Sequence, residues 1–187
     1  MAFFPMMINL DNRPVLVVGG GEEGLNKVKI LYEFGAKITL ISEDAYEEAA
    51  TLASIFYKRS FEEGDLIGKQ YDLVVASTDD RETNAHISRL ARGQLIPINV
   101  VDDIELCTFI FPAIVKDKDV VCAVSSGGKS PYVAQYIKKL IGEIFPKGIG
   151  EINDRMGEYR IQVKKDIPQA EERRKYLKEK FDKLLDE

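Results

Sequence analysis

The sequence feature that most constrains the fold is a glycine-rich turn directly after a run of four apolar residues, Val15–Val18. Such a run is typical of a strand that is buried on both faces, as in parallel sheets. Gly19, Gly21 and Gly24 follow it at the spacing of a dinucleotide fingerprint. The first glycine allows a tight turn, the second lets a pyrophosphate approach the backbone, and the third lets a helix pack on the strand. The pattern therefore predicts a strand, turn and helix that bind a dinucleotide.

The residues after the turn have the pattern of a helix that begins near Leu25 and stops at Gly35. Its N-terminus offers backbone N–H groups and the positive end of the helix dipole to a phosphate. Glu22 and Glu23 lie in this cofactor-binding turn, and we expect Glu23 to face away from the phosphates, which it would repel. Any α/β protein can place glycines in such a turn for structural reasons alone. The strand pattern that follows, Lys37–Ile41, favours dinucleotide binding instead.

Strand and helix patterns alternate up to about residue 113, which predicts a parallel sheet with helices on both faces. Ligands of such sheets bind at the carboxyl ends of the strands. The predicted strand ends are rich in glycine or polar residues: Gly19–Gly24, Ser42–Asp44, Ser77–Asp80 and Asn99–Asp103. At the third of these ends we expect Thr78 to contact the cofactor.

Two acidic residues, Glu43 and Asp44, stand about 20 residues after the glycine turn, where an acidic group usually binds the ribose 2′-hydroxyl. No arginine follows them immediately, so the sequence favours NAD over NADP. The alternative is that both residues belong to the start of a helix over Asp44–Leu52, because acidic residues are common at helix starts.

Asp102 is the candidate catalytic residue, because it lies just past the end of a predicted buried strand, Leu95–Val101. A carboxylate at that edge of the sheet can serve as the base in an NAD-dependent dehydrogenation. The alternative is that Asp102 or Asp103 caps a turn. We favour catalysis for Asp102 and turn capping for Asp103.

The pattern changes near Phe109, where two strand patterns separated by a charged turn predict a hairpin. Ser130 and Pro131 then have the residue types of a helix N-cap and first helical position. The elements predicted in this part are strands Phe109–Val115 and Val120–Val124 around the turn Lys116–Asp119, and helices Tyr132–Ile144, Ile149–Val163 and Pro168–Leu185. The sequence thus predicts an α/β chain: a Rossmann-type domain (1–113), a hairpin and helix dimerisation region (114–146) and a small C-terminal helical domain (147–187).

Composition excludes several classes of function. Residues 1–113 hold 10 basic and 18 acidic side chains and residues 114–187 hold 16 and 13, so no strong basic patch for nucleic acid is expected. No apolar run approaches the roughly 20 residues that span a bilayer, so no membrane role is expected. Two cysteines and one histidine give neither a disulfide framework nor a metal site. We expect a cytoplasmic enzyme without a bound metal.

Sequence blocks throughout the chain resemble one known family. The blocks are Val17–Gly21, Ala76–Asp80 with Asn84, Asn99–Asp102, Phe109–Ala113 and Ala123–Pro131. Their order and spacing are similar to those of siroheme synthase dehydrogenase domains. The run Asn99–Asp102 followed by Ser125–Pro131 is much more specific than the glycine turn, which many folds share.

The resemblance implies a precorrin-2 dehydrogenase that oxidises precorrin-2 to sirohydrochlorin with NAD, and some members also insert ferrous iron. It implies that Asp102 is the catalytic aspartate and that the protein forms a homodimer, and the methyltransferase domain of some relatives is expected to be missing. The substrate-binding residues that it implies are Asn99, Ser125, Ser126, Gly127 and Lys129. Two other functions stay open: an NAD-sensing regulatory module, and a different small-molecule dehydrogenase on the same fold.

Overall fold

The structure, a computed structural model, describes residues 3–186. The chain forms two compact units that divide between Phe111 and Pro112. No helix among the described residues is both long enough and apolar enough to cross a membrane.

The first unit is built on a five-stranded parallel sheet. Its strands are β1 (Pro14–Gly20), β2 (Lys37–Ala45), β3 (Ile55–Tyr57), β4 (Leu73–Ala76) and β5 (Ile98–Val100), and its helices are α1 (Glu22–Glu33), α2 (Glu47–Leu52) and α3 (Arg81–Gly93). The strand order is β3-β2-β1-β4-β5. This arrangement confirms the parallel sheet expected from the alternation of strand and helix patterns.

The central strand β1 is buried on both faces, as its apolar run predicts. Successive side chains of a strand point to opposite faces. Val15 and Val17 therefore pack in one core cluster with α1, whereas Leu16 and Val18 pack in a second cluster with α3. All four side chains are at most 2% exposed, so β1 is fixed in the middle of the unit. Its glycine-rich end lies where the carboxyl ends of the parallel strands meet.

The end of β2 differs from the sequence prediction. A helix was expected to begin at Asp44, but β2 continues to Ala45, which pairs with Gly20 of β1. The Tyr46 N–H also donates to the Gly20 carbonyl at 3.0 Å. Because this ladder extends the strand, α2 begins only at Glu47, and Asp44 is a strand residue.

The segment around Phe109 also differs, because the first hairpin strand was expected to start there. Asn99, the middle residue of β5, donates its amide N–H to the Phe109 carbonyl at 3.2 Å. The rings of Phe109 and Phe111 lie 5.3 Å apart and pack against the α1 side of the core. These contacts keep the segment with the first unit as a loop, and the hairpin strand begins only at Ala113.

The second unit contains a two-stranded antiparallel hairpin and three helices. They are β6 (Ala113–Asp117), β7 (Val120–Val124), α4 (Pro131–Ile144), α5 (Ile149–Asp166) and α6 (Ala170–Asp186). The hairpin turn is only Lys118-Asp119, shorter than expected, and Lys118 takes a left-handed conformation with φ 50°. The Asp117 carboxylate accepts from the Gly150 N–H at 2.8 Å and so connects the hairpin to the start of α5. The separate roles expected for residues 114–146 and 147–187 stay predictions.

Replacing Leu31 by alanine tests the packing of α1 on the sheet. Leu31 is completely buried, so we expect Leu31→Ala to lower the free energy of unfolding by about 2–5 kcal/mol. Leu95→Ala is the control, because Leu95 is 91% exposed and should change that free energy by no more than about 0.5 kcal/mol. Urea unfolding curves measure both values, and equal losses would contradict this view of the core.

Candidate functional site

A cleft of about 660 Å³ opens at the carboxyl edge of the sheet. The chain leaves β1 towards β2 on one side, while β4 pairs with β1 on the other. Open α/β sheets bind ligands at such a reversal of strand order. The cleft is lined by the glycine turn, by the end of β2 and by residues that follow β3 and β4. Among them are Gly19–Gly21, Ser42–Tyr46, Arg59–Phe61, Ser77–Asp80 and Thr83.

Two of the turn glycines are required by close backbone contacts. Gly19 has a φ of 104°, and a Cβ atom on it would lie 2.3 Å from the Ser77 carbonyl oxygen at the end of β4. A Cβ atom on Gly24 would lie 2.1 Å from the Gly19 carbonyl oxygen. The turn therefore packs directly on β4, and α1 packs directly on the turn.

Gly21 lies in a different environment, because a Cβ atom there would have no heavy atom within 4 Å. It is the N-cap of α1, supplies no side-chain acceptor, and lines the cleft. The first N–H groups of α1 have no partner within the helix and are available to an anion. Glu22 and Glu23 do not line this cleft, and Glu23 forms an ion pair with Lys27 at 3.6 Å.

The end of β2 brings Glu43 and Asp44 into the cleft. The Ser42 hydroxyl accepts from the Gly20 N–H at 3.0 Å and donates to the Asp44 carbonyl, so the strand end is held against the glycine turn. The Glu43 carboxylate accepts from the Ser60 hydroxyl. Since α2 begins after both acidic residues, the alternative that they start this helix is wrong.

Arg59 is a cleft residue that the sequence pattern did not reveal. Strand β3 pairs parallel with β2 and ends at Tyr57, so the residues after it reach the same edge as Glu43. The Arg59 guanidinium donates to both carboxylate oxygens of Asp65, at 2.6 and 2.7 Å, and lies 5.2 Å from the Tyr57 ring centre. The hydrogen bond from Arg59 lowers the pKa of Asp65. The signal that could have found this arginine is the strand-like run Ile55–Tyr57, because Arg59 follows it by two residues.

Thr78, after β4, is held by a buried asparagine. Its N–H and hydroxyl both donate to the Asn84 Oδ1, at 3.1 and 2.7 Å, and its carbonyl accepts from the Asn84 amide at 2.8 Å. The next turn starts α3 with Asp80 as N-cap, which accepts from the Glu82 and Thr83 N–H groups at 3.1 Å. The Thr83 hydroxyl and these backbone groups lower the pKa of Asp80.

A smaller depression of about 330 Å³ contains Asp102 and adjoins the cleft. Ser77, Thr78 and Asp79 line both, so the two share a border at the end of β4. Asp102 is exposed and has a left-handed φ of 59°. Among residues 3–186, no hydrogen bond or ion pair to its carboxylate is found.

Asp103 was expected to cap the turn after β5, and its side chain does not. It occupies the N-cap position of a 3₁₀ turn over Ile104–Leu106 without a side-chain cap bond. Its carboxylate instead accepts from Arg81 of α3, at 3.0 Å for the shortest contact. Tertiary pairing with an arginine far along the chain thus replaces the local cap.

Asn99 lies in the interior and lines neither depression. It is 7% exposed, and its amide group contacts the Phe109 carbonyl at 3.2 Å and the Cys107 sulfur at 3.5 Å. Burial raises the pKa of that Cys107 thiol. Asn99 therefore stabilises the loop after β5, and a direct contact with substrate stays a prediction.

The other predicted substrate residues lie in the second unit, between β7 and α4. The Ser125 hydroxyl accepts from the Gly127 N–H at 3.0 Å, and the Ser126 hydroxyl accepts from the Ser130 N–H at 3.1 Å. Ser130 caps α4 as predicted, accepting from the Val133 N–H at 3.4 Å. Lys129 is exposed. In the described part of the chain, no group of three or more His, Cys, Asp or Glu residues is arranged to hold a metal ion.

The different environments of the turn glycines lead to a prediction. We expect Gly24→Ala to lower the melting temperature, because the added methyl group clashes with the Gly19 carbonyl. Gly21→Val should leave the melting temperature nearly unchanged, because space is free there, but should weaken NAD binding by narrowing the cleft. Thermal unfolding and NAD titration of both variants provide the measurements. A Gly21→Val protein that binds NAD normally would contradict the assignment of the cleft.

Known proteins resemble this chain along its whole length. It is 34% identical over 191 residues to a siroheme synthase of Ruthia magnifica, a match that covers 100% of this chain and 40% of that protein. It is 38% identical over 180 residues to a siroheme synthase of Thioalkalivibrio sulfidiphilus, covering 94% of this chain and 36% of that protein. The chain thus spans about two fifths of the length of these curated relatives.

A solved structure named SirC, precorrin-2 dehydrogenase, has a similar fold. The TM-score is 0.75 at 21% sequence identity, with 95% of this chain and 88% of that chain covered. The likeness confirms the predicted Rossmann-type fold with its hairpin and C-terminal helices. A family model described as putative NAD(P)-binding matches residues 6–113. Since this match covers more than half of the chain, the protein belongs to that NAD(P)-binding family.

Proposed function

We propose that this chain oxidises precorrin-2 to sirohydrochlorin with NAD as the hydride acceptor. The observation that carries the proposal is the common border of the dinucleotide cleft and the depression that contains Asp102. A cofactor in the first would be next to a carboxylate in the second. The names of the siroheme synthase relatives and of the structurally similar dehydrogenase support the choice of substrate.

Different residues around the cleft would bind different parts of the dinucleotide. The N–H groups at the start of α1 would bind the phosphates, because Gly21 leaves space there. Glu43 and Asp44 supply acceptors for the ribose hydroxyls at the end of β2. Their negative charge would repel the 2′-phosphate of NADP, which favours NAD. Thr78 lines both depressions, so it would lie between a bound cofactor and Asp102.

The reaction removes a hydride and a proton from precorrin-2. NAD bound in the cleft would supply the acceptor for the hydride and its electron pair, and a base of the protein would take the proton. Asp102 can accept that proton, because it is exposed and its neighbour Asp103 is the residue that pairs with Arg81. The products are sirohydrochlorin, NADH and a proton, so atoms and charge balance.

The charge of the depression limits how an octa-acidic substrate can bind there. Glu23, Asp79, Asp102 and Asp103 line it, with Arg81 as its cation. Carboxylates of the substrate would be repelled from these side chains, so the pyrrole face of the tetrapyrrole is the part that suits Asp102. In the second unit, the loop that contains Ser125, Ser126, Gly127 and Lys129 stays the proposed substrate-binding segment.

The chain is further proposed to work as a homodimer in the cytoplasm. Helix α4 exposes a row of large apolar side chains: Tyr132, Val133, Tyr136, Ile137, Leu140 and Ile144. Exposed apolar surface of this extent is typical of an interface between proteins. Both free cysteines, Cys107 and Cys122, suit a reducing compartment.

Asp102→Asn tests the proposed chemistry. Asparagine also tolerates the left-handed backbone, so folding and NAD binding should persist, while turnover of precorrin-2 falls at least about 10²-fold. Asp103→Asn should have much less effect, because its carboxylate is paired with Arg81. The absorbance change on formation of sirohydrochlorin measures turnover. Near-normal turnover by Asp102→Asn, or inactivity of Asp103→Asn alone, would identify Asp102 as the wrong carboxylate.

Tyr136→Glu tests the dimer. A charge placed on the apolar row of α4 should convert the protein to monomers, as measured by light scattering at the concentrations used for activity. Ile161→Glu on α5 is a matched control, because Ile161 and Tyr136 are both 64% exposed. The control should stay dimeric. A wild-type protein that is strictly monomeric under the same conditions would exclude the proposal.

A further inference from the structure

The dinucleotide cleft contains an arginine most of whose hydrogen-bonding groups are already occupied. Three of the five N–H groups of Arg59 are used, one on the Ser60 carbonyl at 2.9 Å and two on the carboxylate of Asp65. Its side chain is 37% exposed, whereas that of Asp65 is only 12% exposed. The Arg59 guanidinium thus borders the cleft, whereas the Asp65 carboxylate that neutralises it does not line the cleft.

The location of Arg59 makes its pairing with Asp65 relevant to the choice of cofactor. It follows β3 and lines the cleft together with Glu43 and Asp44, at the edge where the adenosine ribose of a dinucleotide binds. A guanidinium has the planar fork that suits a phosphate, and an arginine at this place can accommodate a 2′-phosphate. Left free, Arg59 would make the cleft attractive to NADP.

Asp65 is fixed in a position where its carboxylate occupies Arg59, which would prevent Arg59 from binding a 2′-phosphate. It belongs to a 3₁₀ turn over Glu63–Asp65, and one of its oxygens also accepts from the Glu62 N–H at 2.8 Å. The hydrogen bond from Arg59 lowers the pKa of Asp65, so its carboxylate is charged at neutral pH. A short turn thus holds the negative charge of Asp65 against the Arg59 guanidinium, and the Tyr57 ring centre lies 5.2 Å from that guanidinium.

We propose that Asp65 acts beside Glu43 and Asp44 in the choice between NAD and NADP: it keeps the Arg59 fork occupied, so that the cleft does not attract a 2′-phosphate. This inference rests on the proposed dinucleotide site and names a residue outside the cleft lining as its specificity-determining group. Asp65 acts through Arg59 and is a positioning residue.

The central experiment compares the dissociation constants of NAD and NADP in the wild-type protein and in Asp65→Asn, by titration without precorrin-2. The wild-type protein should prefer NAD. The substituted asparagine would keep the shape of the side chain but release the guanidinium, so we expect NADP affinity to rise at least about tenfold while NAD affinity changes little. Adding Arg59→Met to Asp65→Asn should remove the gain.

Two further variants keep the result interpretable. Asp72→Asn is a matched control, because Asp72 forms a similar two-point pair with Arg13 at 2.8 Å and does not line the cleft. It should leave the NAD-to-NADP preference unchanged. Arg59→Lys keeps the charge pair with Asp65 and tests the case in which Asp65→Asn does not fold. The affinities of Arg59→Lys for NAD and NADP should match those of the wild-type protein, because the occupied Arg59 fork of the wild-type protein contacts no phosphate.

Several outcomes would overturn the proposal. These are a folded Asp65→Asn with wild-type preference, a gain in NADP affinity that survives Arg59→Met, and a tenfold loss of either affinity in Arg59→Lys. A wild-type preference for NADP would do the same. Because the titration needs no tetrapyrrole, failure of the proposed enzyme activity is distinguishable: a protein that binds NAD but leaves precorrin-2 unchanged refutes the activity and still tests Asp65.

Discussion

The close backbone contact between the first turn, β4 and α1 is the constraint on which the site depends. Gly19 lies so near the Ser77 carbonyl, and Gly24 so near the Gly19 carbonyl, that no side chain fits at either position. This contact aims the start of α1 at the sheet edge and leaves an open space only at Gly21. Ser42 holds the end of β2 against the same turn. The cleft is therefore a consequence of how tightly its walls are packed.

The parts of the structure that the sequence predicted are those governed by local pattern. The apolar run of β1, the stop of α1 near Gly35 and the cap of α4 at Ser130 depend on neighbouring residues, and all three are present. The glycine fingerprint also located the cleft, because its spacing reflects contacts within one strand, turn and helix. Such contacts are encoded within a few residues of each other.

The misses share a physical cause, which is pairing between residues far apart in the chain. The ladder between Gly20 and Ala45 extends β2 at the expense of α2, although the residues there are typical of a helix start. Asp103 pairs with Arg81 instead of capping its own turn. Arg59 enters the cleft only because β3 aligns with β2. Tertiary hydrogen bonds and ion pairs outweigh weak local preferences in each case.

The charged groups at the carboxyl edge of the sheet differ in whether another side chain neutralises them. Two charged groups beside the proposed ligand sites are paired: Asp65 binds Arg59, and Arg81 binds Asp103. Asp102 stands directly beside Asp103, yet its left-handed backbone turns the chain there and its side chain remains exposed. Of these two adjacent carboxylates, that of Asp103 is neutralised by Arg81 and that of Asp102 is exposed. That difference in pairing, more than residue type, supports the proposal that Asp102 accepts the proton.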